Sequence, residues 1–391
     1  MRALLVTLDK YPDIDAGALR VHMFGKILLE SGYEVHVVSM GPTTHYKQTV
    51  EPDGIWHLSL RGTSAKMYFK AMYYALFPVR LWRLLQKNKY DVIFHTQLDE
   101  LSIKILQAYA NKHHVPVVYD AVEWFSESQF VNGKKARGFR LNDNYNRKWI
   151  AAPSSVVAIS SFLEKHFINR HIKTIRIPVI LDTSVTRVVK QPTEGKVVLL
   201  YAGSPGKKDY LATLIEALDL LDKKEQEKIK LMILGCSTEQ LISLCGVSET
   251  LLRRVQHMLD VRGHVPRKEV LEAYSYADFS VLIRPTNQRY AQAGFPTKFV
   301  ESLCCSTPVI CNLTSDLGLY AQDNENCVVL EGISAQEIAA ALRRVIQMSK
   351  DEKNQMQLAA RKTAEIYFDY KNFKQAFIQF SRPLEMTGTN L

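Results

Sequence analysis

Residues 196–236 read KVVLLYAGSPGKKDYLATLIEALDLLDKKEQEKIKLMILGC, and this stretch decides the predicted fold. The apolar run 196–203 ends in a glycine and predicts a buried strand, whereas 211–221 has its apolar residues at helical spacing. Residues 230–236 predict the next strand. Because a strand, a helix and a strand in this order form a β-α-β unit with a parallel sheet, a Rossmann-like domain is expected to begin near residue 196.

The N-terminal region shows the same pattern. ALLVTL (3–8) and EVHVVSM (34–40) predict strands, and Ala18 to Glu30 predicts an amphipathic helix between them. Further strands are predicted at 91–95, 116–120, 155–160, 279–284, 307–312 and 327–331. The sequence therefore predicts an α/β chain of two Rossmann-like domains, joined within 177–196, with the cleft between them as the ligand site.

Composition is consistent with a globular protein of two domains. The chain has 391 residues, too many for one core, and 47% of them are hydrophobic. No run reaches the roughly 18–20 apolar residues of a membrane span, and the N-terminus lacks a signal-peptide pattern, so a cytoplasmic protein is expected. The six cysteines have no C-x-x-C spacing and are expected to be buried reduced thiols.

Charge and missing motifs narrow the function. Lysine and arginine exceed aspartate and glutamate by a net charge of +10, which suits an anionic ligand, an anionic membrane surface or nucleic acid. No nucleic-acid-binding module accompanies the charge, so nucleic acid is not an expected partner. Neither G-x-G-x-x-G nor a P-loop is present. Asp13 and Asp15 form a carboxylate pair without a further ligand at metal spacing, so no metal is expected.

The loop after the strand at 196–203 has the composition of an anion site. Gly203 and the residues SPG that follow allow backbone N–H groups to approach a ligand, and Lys207 and Lys208 add positive charge beside the next helix. A solvated lysine pair on a surface loop is an equally simple interpretation of these residues.

A second anion site is predicted at AGFPTKFVESL (293–303). Pro296 suits the first turn of a helix, and the N–H groups of Thr297, Lys298 and Phe299 would then be free to bind an anion. Glu301 lies one turn further, where a carboxylate can accept both hydroxyls of a ribose. A weak salt bridge between Lys298 and Glu301 is an alternative explanation of the two charges of this helix, but it does not explain the Gly-Phe-Pro sequence before the helix.

These segments resemble a known family. GFPTKFVESLCCSTPVI (294–310) is similar to the donor-site segment of the retaining GT-B glycosyltransferases of family four, also called glycosyl transferases group 1, of the polysaccharide-biosynthesis type. RGHVPRKEVLEAYSYADFSVL (262–282), YAGSPGKKD (201–209) and DAGALRVHMFGKILLESGYEVHVVS (15–39) support the resemblance in the family's order. The implied fold is GT-B, with two Rossmann-like domains facing across a deep cleft.

The resemblance implies roles for individual residues. Lys208 or Lys207 and Lys298 hold the donor diphosphate, and Glu301 binds the ribose; Lys208, Lys298 and Glu301 form the implied catalytic set. The remaining implied donor-binding residues are Gly17, Gly203, Gly263, His264, Val265, Arg289, Gly294, Phe295, Pro296 and Thr297. A nucleoside-diphosphate sugar is the co-substrate, and no cofactor or metal is implied.

The chain departs from the family at three positions. Ala293 stands where relatives often have a sugar-side glutamate, which shifts those contacts to Asn287, Arg289 or the backbone at 293–294. Ser306 replaces a usual glycine, and Val179-Ile180 replaces a usual Asn-Gly. The last two changes are expected to affect packing only.

Transfer with retention onto a saccharide or lipid-linked acceptor is the implied reaction, and a same-face substitution is the implied route. The acceptor-side candidates are His95, Gln97, Asp120 and Glu123 in the N-terminal domain, where an Asp or Glu can orient or deprotonate a hydroxyl. A nucleotide-sugar-binding protein without transfer activity and a nucleotide-sugar epimerase on the same fold are the alternatives.

Two further segments complete the predicted organisation. Residues 65–89 are basic and aromatic and suit a pair of interfacial helices on anionic lipid, with Pro78 as the break, although core-facing helices with a solvated basic face fit the same composition. Residues 366–380 predict a final amphipathic helix. The expected domains are 1–183 for the acceptor, 184–368 for the nucleotide sugar, and 369–391 returning to the first domain.

Overall fold

The computed structural model of the chain divides into two compact units, Met1–Ile180 with Tyr370–Leu391, and Leu181–Asp369. The structure describes residues 1–9, 11, 16–39, 49–50, 53–59, 67–186, 188–191, 195–203 and 208–382, without the side chains of 49–50 and 67–75. Among the sequence predictions, Asp13, Asp15 and Lys207 lie outside these residues.

The first unit is built on an eight-stranded sheet with the strand order β3-β4-β2-β1-β5-β6-β7-β8. Its strands are β1 Arg2–Val6, β2 Glu34–Ser39, β3 Thr49–Val50, β4 Trp56–Ser59, β5 Val92–His95, β6 Val117–Ala121, β7 Ser155–Ala158 and β8 Thr174–Arg176. Its helices are α1 Ala16–Leu29, α2 Met67–Lys87, α3 Glu100–His113, α4 Arg137–Asn144 and α5 Ser161–Ile168. All of the strand pairs are parallel except β3 with β4.

The second unit is built on a six-stranded sheet with the strand order β11-β10-β9-β12-β13-β14. Its strands are β9 Val197–Ala202, β10 Ile229–Leu234, β11 Leu259–Gly263, β12 Phe279–Leu282, β13 Val309–Cys311 and β14 Cys327–Val329. Its helices are α6 Leu211–Asp219, α7 Lys223–Gln226, α8 Thr238–Ser243, α9 Glu249–Val255, α10 Arg267–Tyr276, α11 Arg289–Ala293, α12 Thr297–Cys304, α13 Ala335–Gln347 and α14 Lys350–Tyr367. All of its strand pairs are parallel.

Both sheets are of the doubly wound, Rossmann-like kind. The chain runs outward from β1 through β2 to β4 and then returns to β5 on the other side of β1, and it does the same around β9 with β10, β11 and β12. Buried parallel strands need apolar residues on both faces, and β5 and β12 are buried along their whole length. The carboxyl ends at these reversal points are where ligands bind in such sheets.

The C-terminal segment differs from the single helix predicted at 366–380. Helix α14 ends at Tyr367, and a separate helix, α15, spans Lys374–Ser381. The helix is interrupted because the Phe368 carbonyl accepts the Leu181 N–H at 2.9 Å, and the Asp369 carboxylate accepts the Thr183 hydroxyl, instead of continuing helical bonds. Phe377 of α15 stacks on Phe24 in the core of the first unit, with ring centroids 4.6 Å apart.

The predicted break at Pro78 is also wrong. Helix α2 is a single element of 21 residues with Pro78 inside it, not two helices separated by the proline. Proline removes one backbone hydrogen bond and crowds the carbonyl four residues earlier, which weakens this turn of α2 but does not end the helix. Of the helices in the described ranges, none is both long and apolar enough to cross a bilayer.

Candidate functional site

The candidate site lies at the carboxyl ends of β9 and β12, where the strand order of the second unit reverses. Gly203 follows β9, and its N–H donates to the Leu234 carbonyl at 2.9 Å. A Cβ at Gly203 would lie 2.2 Å from the Lys298 Cε, and a Cβ at Gly235 would lie 2.7 Å from the Gly203 carbonyl oxygen. Glycine is required at both positions because the two strand ends and the lysine pack directly against each other.

Helix α12 presents Lys298 to this strand end. Pro296 is the residue that precedes the helix, one position before its predicted place, and within the described part of the chain no side chain caps α12. The Phe299 N–H donates to the Pro296 carbonyl at 3.1 Å, so the prediction that it would be free is wrong. The N–H groups of Thr297 and Lys298 stand in the first turn, where the positive end of the helix dipole favours an anion.

The Lys298 ammonium is held by neighbours from other elements. Its Nζ donates to Oδ2 of Asp209 at 2.6 Å and lies 4.2 Å from the centroid of the Tyr201 ring. Burial lowers the pKa of Lys298, and the Asp209 carboxylate offsets this effect in part. The lysine is therefore a partly buried cation, with 23% of its side chain exposed, whose charge depends on its surroundings.

Asp209 is the central carboxylate of the site, and the sequence did not single it out. It also accepts the Tyr201 hydroxyl at 2.9 Å and Nε of Arg284 at 3.0 Å. Burial alone would raise the pKa of Asp209, but Lys298 and Arg284 outweigh burial and hold that pKa well below its usual range. Asp209 is adjacent to Lys208 in sequence, yet nothing in the pattern KKDY shows that three donors converge on it.

Arg284 continues the same cluster from the end of β12. Its backbone N–H donates to Asn312 Oδ1 at 2.8 Å, and its carbonyl accepts from Asn312 Nδ2 at 2.7 Å. These two bonds fix the chain as it leaves the strand, so the guanidinium is directed toward Asp209. Lys298 and Arg284 thus both contact the carboxylate of Asp209.

Glu301, the predicted ribose ligand, is paired within the unit. Its Oε1 accepts a hydrogen bond at 2.6 Å from Nη1 of Arg267, which is the first residue of α10. Arg267, like Asp209 and Arg284, is a residue of the site that the sequence did not single out, although it lies in the segment 262–282. The pair leaves Glu301 partly accessible, since 16% of its side chain is exposed.

The remaining donor-side predictions in the second unit differ in burial and contacts. Gly263 has φ +67° and joins two strand ends, because its carbonyl accepts the Gly235 N–H at 2.5 Å. His264 is exposed, whereas Lys208, Val265, Arg289 and Gly294 are half-buried. Ala293 is fully buried, and the Phe295 ring packs against Phe299, Tyr320 and Phe368.

The acceptor-side predictions in the first unit do not converge on one accessible group. Asp120 is buried and accepts from Nε and Nη2 of Arg20 at 2.9 Å each, and the same arginine donates to the Ile177 carbonyl at 2.9 Å. His95 is buried against the Tyr145 hydroxyl, and burial lowers the pKa of His95 to about 4. Both side chains are buried and bonded to partners inside the unit.

The remaining predicted residues of the first unit, Gln97, Glu123 and Gly17, also contact groups of their own unit. Gln97 is half-buried and donates through Nε2 to the Glu123 carbonyl at 3.3 Å. A Cβ at Gly17 would lie 2.4 Å from Oδ2 of Asp9. The small residue at position 17 therefore makes room for a carboxylate of its own unit.

Sequence and structure comparisons identify the class of protein. Residues 183–363 match the family of Glycosyl transferases group 1, and residues 18–181 match Glycosyltransferase Family 4. A search among curated proteins finds no match. The two matched segments cover both Rossmann-like units.

Solved structures share the fold over nearly the whole chain. Sucrose-phosphate synthase from Thermosynechococcus elongatus superposes with a TM-score of 0.74 at 14% identity, covering 97% of this chain and 98% of that one. Anabaena HepE in complex with UDP-glucose gives 0.69 at 14% identity, with 97% and 98% covered. WaaG, a glycosyltransferase involved in lipopolysaccharide biosynthesis, gives 0.67 at 15% identity, with 95% and 98% covered. The glycosyltransferase family matches over both units, together with this shared GT-B fold, make the chain a glycosyltransferase of the GT-B type.

Proposed function

We propose that this chain transfers a sugar from a nucleoside-diphosphate sugar to a saccharide or lipid-linked acceptor, with retention of anomeric configuration and without a metal ion. The observation that carries the proposal is the placement of Lys298 and Arg284 at the reversal point of the second sheet, beside the uncapped start of α12. The leaving diphosphate gains negative charge in the transition state, and fixed cations and helix N–H groups stabilise such charge.

Each donor-side residue has a part in this proposal. Lys208 and Lys298 bind the diphosphate together with the N–H groups of Thr297 and Lys298, and Glu301 binds the ribose alongside Arg267. The backbone at 263–265 lines the nucleobase. Asn287 and Arg289 serve the sugar because Ala293 is buried and carries no polar group.

The route proposed for retention is a same-face substitution. The two carboxylates in the described part of the site, Asp209 and Glu301, are both engaged by cations. A carboxylate held in this way is a poor nucleophile toward the sugar, which favours departure of the diphosphate and attack by the acceptor from the same side.

We also propose that the protein works at the cytoplasmic face of the cell membrane, in the synthesis of a cell-surface polysaccharide or glycolipid. Leu76, Val79 and Trp82 recur every three residues on α2 and are 37%, 43% and 50% exposed. Arg83 is exposed beside them, and the groove between α2 and α3 adds Lys104, Lys112 and His113 next to Trp82. Exposed apolar side chains bordered by cations suit an anionic lipid bilayer.

A nucleotide-sugar screen tests the transfer proposal. UDP-, GDP- and ADP-sugars are compared by thermal shift, because a ligand that binds only the folded state raises Tm. UDP-sugars come first, since HepE is solved with UDP-glucose. Nucleoside diphosphate release that requires an added acceptor supports transfer. Tight binding without release supports a binding protein, and conversion of the sugar without release supports an epimerase.

Co-sedimentation with vesicles tests the membrane proposal. The wild-type protein is expected to bind vesicles of anionic lipid at low salt and to be released in part at high salt, because screening weakens the charge contribution. Trp82→Ser with Arg83→Glu is expected to abolish binding, whereas Lys224→Glu on the exposed face of α7 serves as the charge-matched control. No binding by the wild type at either salt concentration would overturn the proposal.

A further inference from the structure

Asp209 joins three separate elements of the second unit through one carboxylate. Oδ2 accepts from Lys298 of α12 and from Tyr201 of β9, and Oδ1 accepts from Arg284 after β12. Only 6% of the Asp209 side chain is exposed. A buried carboxylate with this set of donors is strongly held, because breaking any one contact leaves a buried charge with fewer partners.

Lys298 depends on this carboxylate for its position. A lysine side chain loses up to about 2 kcal/mol of rotamer entropy when it is fixed, and burial disfavours its charged form. The 2.6 Å bond to Asp209 and the Tyr201 ring below Nζ hold the ammonium in one place. An ammonium has three N–H donors and Asp209 takes one, so the lysine can bind a phosphate oxygen without breaking the pair.

We propose that Asp209 is the positioning residue of the diphosphate site, which keeps Lys298 protonated and aimed at the anion. This inference rests on the proposed role of Lys298 in binding the diphosphate. Asp209 itself does not contact the substrate in this scheme. It acts through the lysine.

The charged and titratable groups around Lys298 determine what the loss of Asp209 does. Arg284 repels the ammonium, Glu301 on the same helix attracts it and is itself paired with Arg267, and Tyr201 contributes its ring. Asp209 is the carboxylate in direct contact. An opposite charge at this range shifts a pKa by roughly one to three units, so removing it makes Lys298 lose its proton at lower pH.

The experiment measures UDP binding by calorimetry between pH 7 and 10, with GDP and ADP in parallel. This range lies above the pKa of a phosphate group, about 6. The bases of UDP and GDP lose a proton toward its alkaline end, and this contribution is common to all variants, so each profile is compared with that of the wild type. Asp209→Asn keeps the shape and can still accept hydrogen bonds, but it removes the charge. The double variant Asp209→Asn/Lys298→Arg restores a cation that does not titrate in this range.

Asp209→Asn is expected to move the alkaline loss of UDP affinity to lower pH by roughly one to three units. Each unit of that movement corresponds to about a tenfold weaker affinity on the alkaline limb. The double variant is expected to lose the part of the alkaline limb that Lys298 contributes, and Asp209→Glu, which keeps the charge, is expected to retain a limb near that of the wild type. Asp219→Asn removes the partner of Arg254, 2.6 Å away on α6 and α9, and is expected to leave the profile unchanged.

The outcomes separate the two proposals. If Lys298→Ala weakens UDP binding and the Asp209→Asn profile coincides with the wild type, Asp209 is only structural and this inference is overturned. If Lys298→Ala leaves the binding of all three nucleotides unchanged, the role of Lys298 fails and this inference fails with it. Thermal melting of each variant identifies loss of folding, and binding is compared at temperatures at which every variant is folded.

Discussion

The two Rossmann-like units reverse their strand order in the same way but carry different chemistry at the reversal point. In the second unit, Lys298 and Arg284 surround the single carboxylate of Asp209. In the first unit, the ends of β1 and β5 carry hydroxyls: Thr96 Oγ1 donates to Thr7 Oγ1 at 3.0 Å, and Thr7 Oγ1 donates to Asp9 at 2.8 Å.

This difference shows how one topology serves two kinds of ligand. A carboxylate at the start of α1 repels an anion, whereas the start of α12 is flanked by cations. This difference supports the proposed division, in which the second unit binds the diphosphate of the donor and the first unit binds the hydroxyl-bearing acceptor. Sheet topology fixes where a site lies, and the residues after the strands fix what it binds.

The largest expected effect is the loss of stability when the buried ion pair between Arg20 and Asp120 in the first unit is broken. Asp120→Asn leaves the buried Arg20 guanidinium without a counter-ion and is expected to cost about 3–5 kcal/mol of unfolding free energy. Urea denaturation measures this loss. Glu34→Gln, which removes an exposed partner of Arg2 in the same unit, is expected to cost about 1 kcal/mol or less. Equal effects of the two variants would show that Asp120 is not the structural carboxylate we describe.

The second prediction is that lowering the pH destabilises the first unit before the second. Burial lowers the pKa of His57 and of His95 to about 4, and both residues belong to the first unit. Their neutral forms are favoured by folding, so the stability they contribute is complete above pH 6.5 and is lost as the pH falls toward 4. At pH 5 the loss is roughly 2 kcal/mol per histidine.

Hydrogen exchange followed by mass spectrometry between pH 7 and 5 measures this loss region by region, after correction for intrinsic exchange rates. Protection is expected to fall in the sheet of the first unit before it falls in the second. Replacing His57 with Gln, which cannot become charged, is expected to reduce the pH dependence by about half. A uniform loss over both units would contradict the assignment.

The third prediction concerns the loss of the Lys298 ammonium from the candidate site of the second unit. Lys298→Ala deletes a charge-assisted hydrogen bond worth roughly 1.5–3 kcal/mol and is expected to slow turnover about tenfold or more. The measurement is nucleoside diphosphate release at saturating donor, with Lys224→Ala on exposed α7 as the control. Unchanged turnover by Lys298→Ala would remove the leaving-group role from this lysine.

Much of the fold could be predicted from local patterns. Parallel strands are buried on both faces, so their apolar runs are visible in the sequence, and β1, β9 and β12 lie within a few residues of their predicted positions. Helix interruptions were harder to predict. The end of α14 at Tyr367 depends on the bonds of Phe368 and Asp369 to the distant segment 181–183, which no local pattern contains.

Some residues of the candidate site could be predicted from the sequence, and others could not. Gly203, Lys298 and Glu301 stand in motifs whose composition indicates an anion site, and the structure brings Gly203 and Lys298 into contact. Arg284 and Asp209 lie 75 positions apart in sequence, and their 3.0 Å bond forms only when β9 and β12 pair. His95 and Asp120 looked like accessible polar residues, but the fold encloses both.

The sequence by itself determined that this is a chain of two α/β units with glycine-lysine segments suited to a diphosphate, because strand periodicity and helix-start signals are local properties. Only the tertiary structure decided the contacts of Lys298 and the direction of its pKa shift, since these depend on Asp209, Tyr201 and Arg284 from other elements. Electrostatic interactions between buried groups act through space over a few ångströms, and folding alone sets those distances.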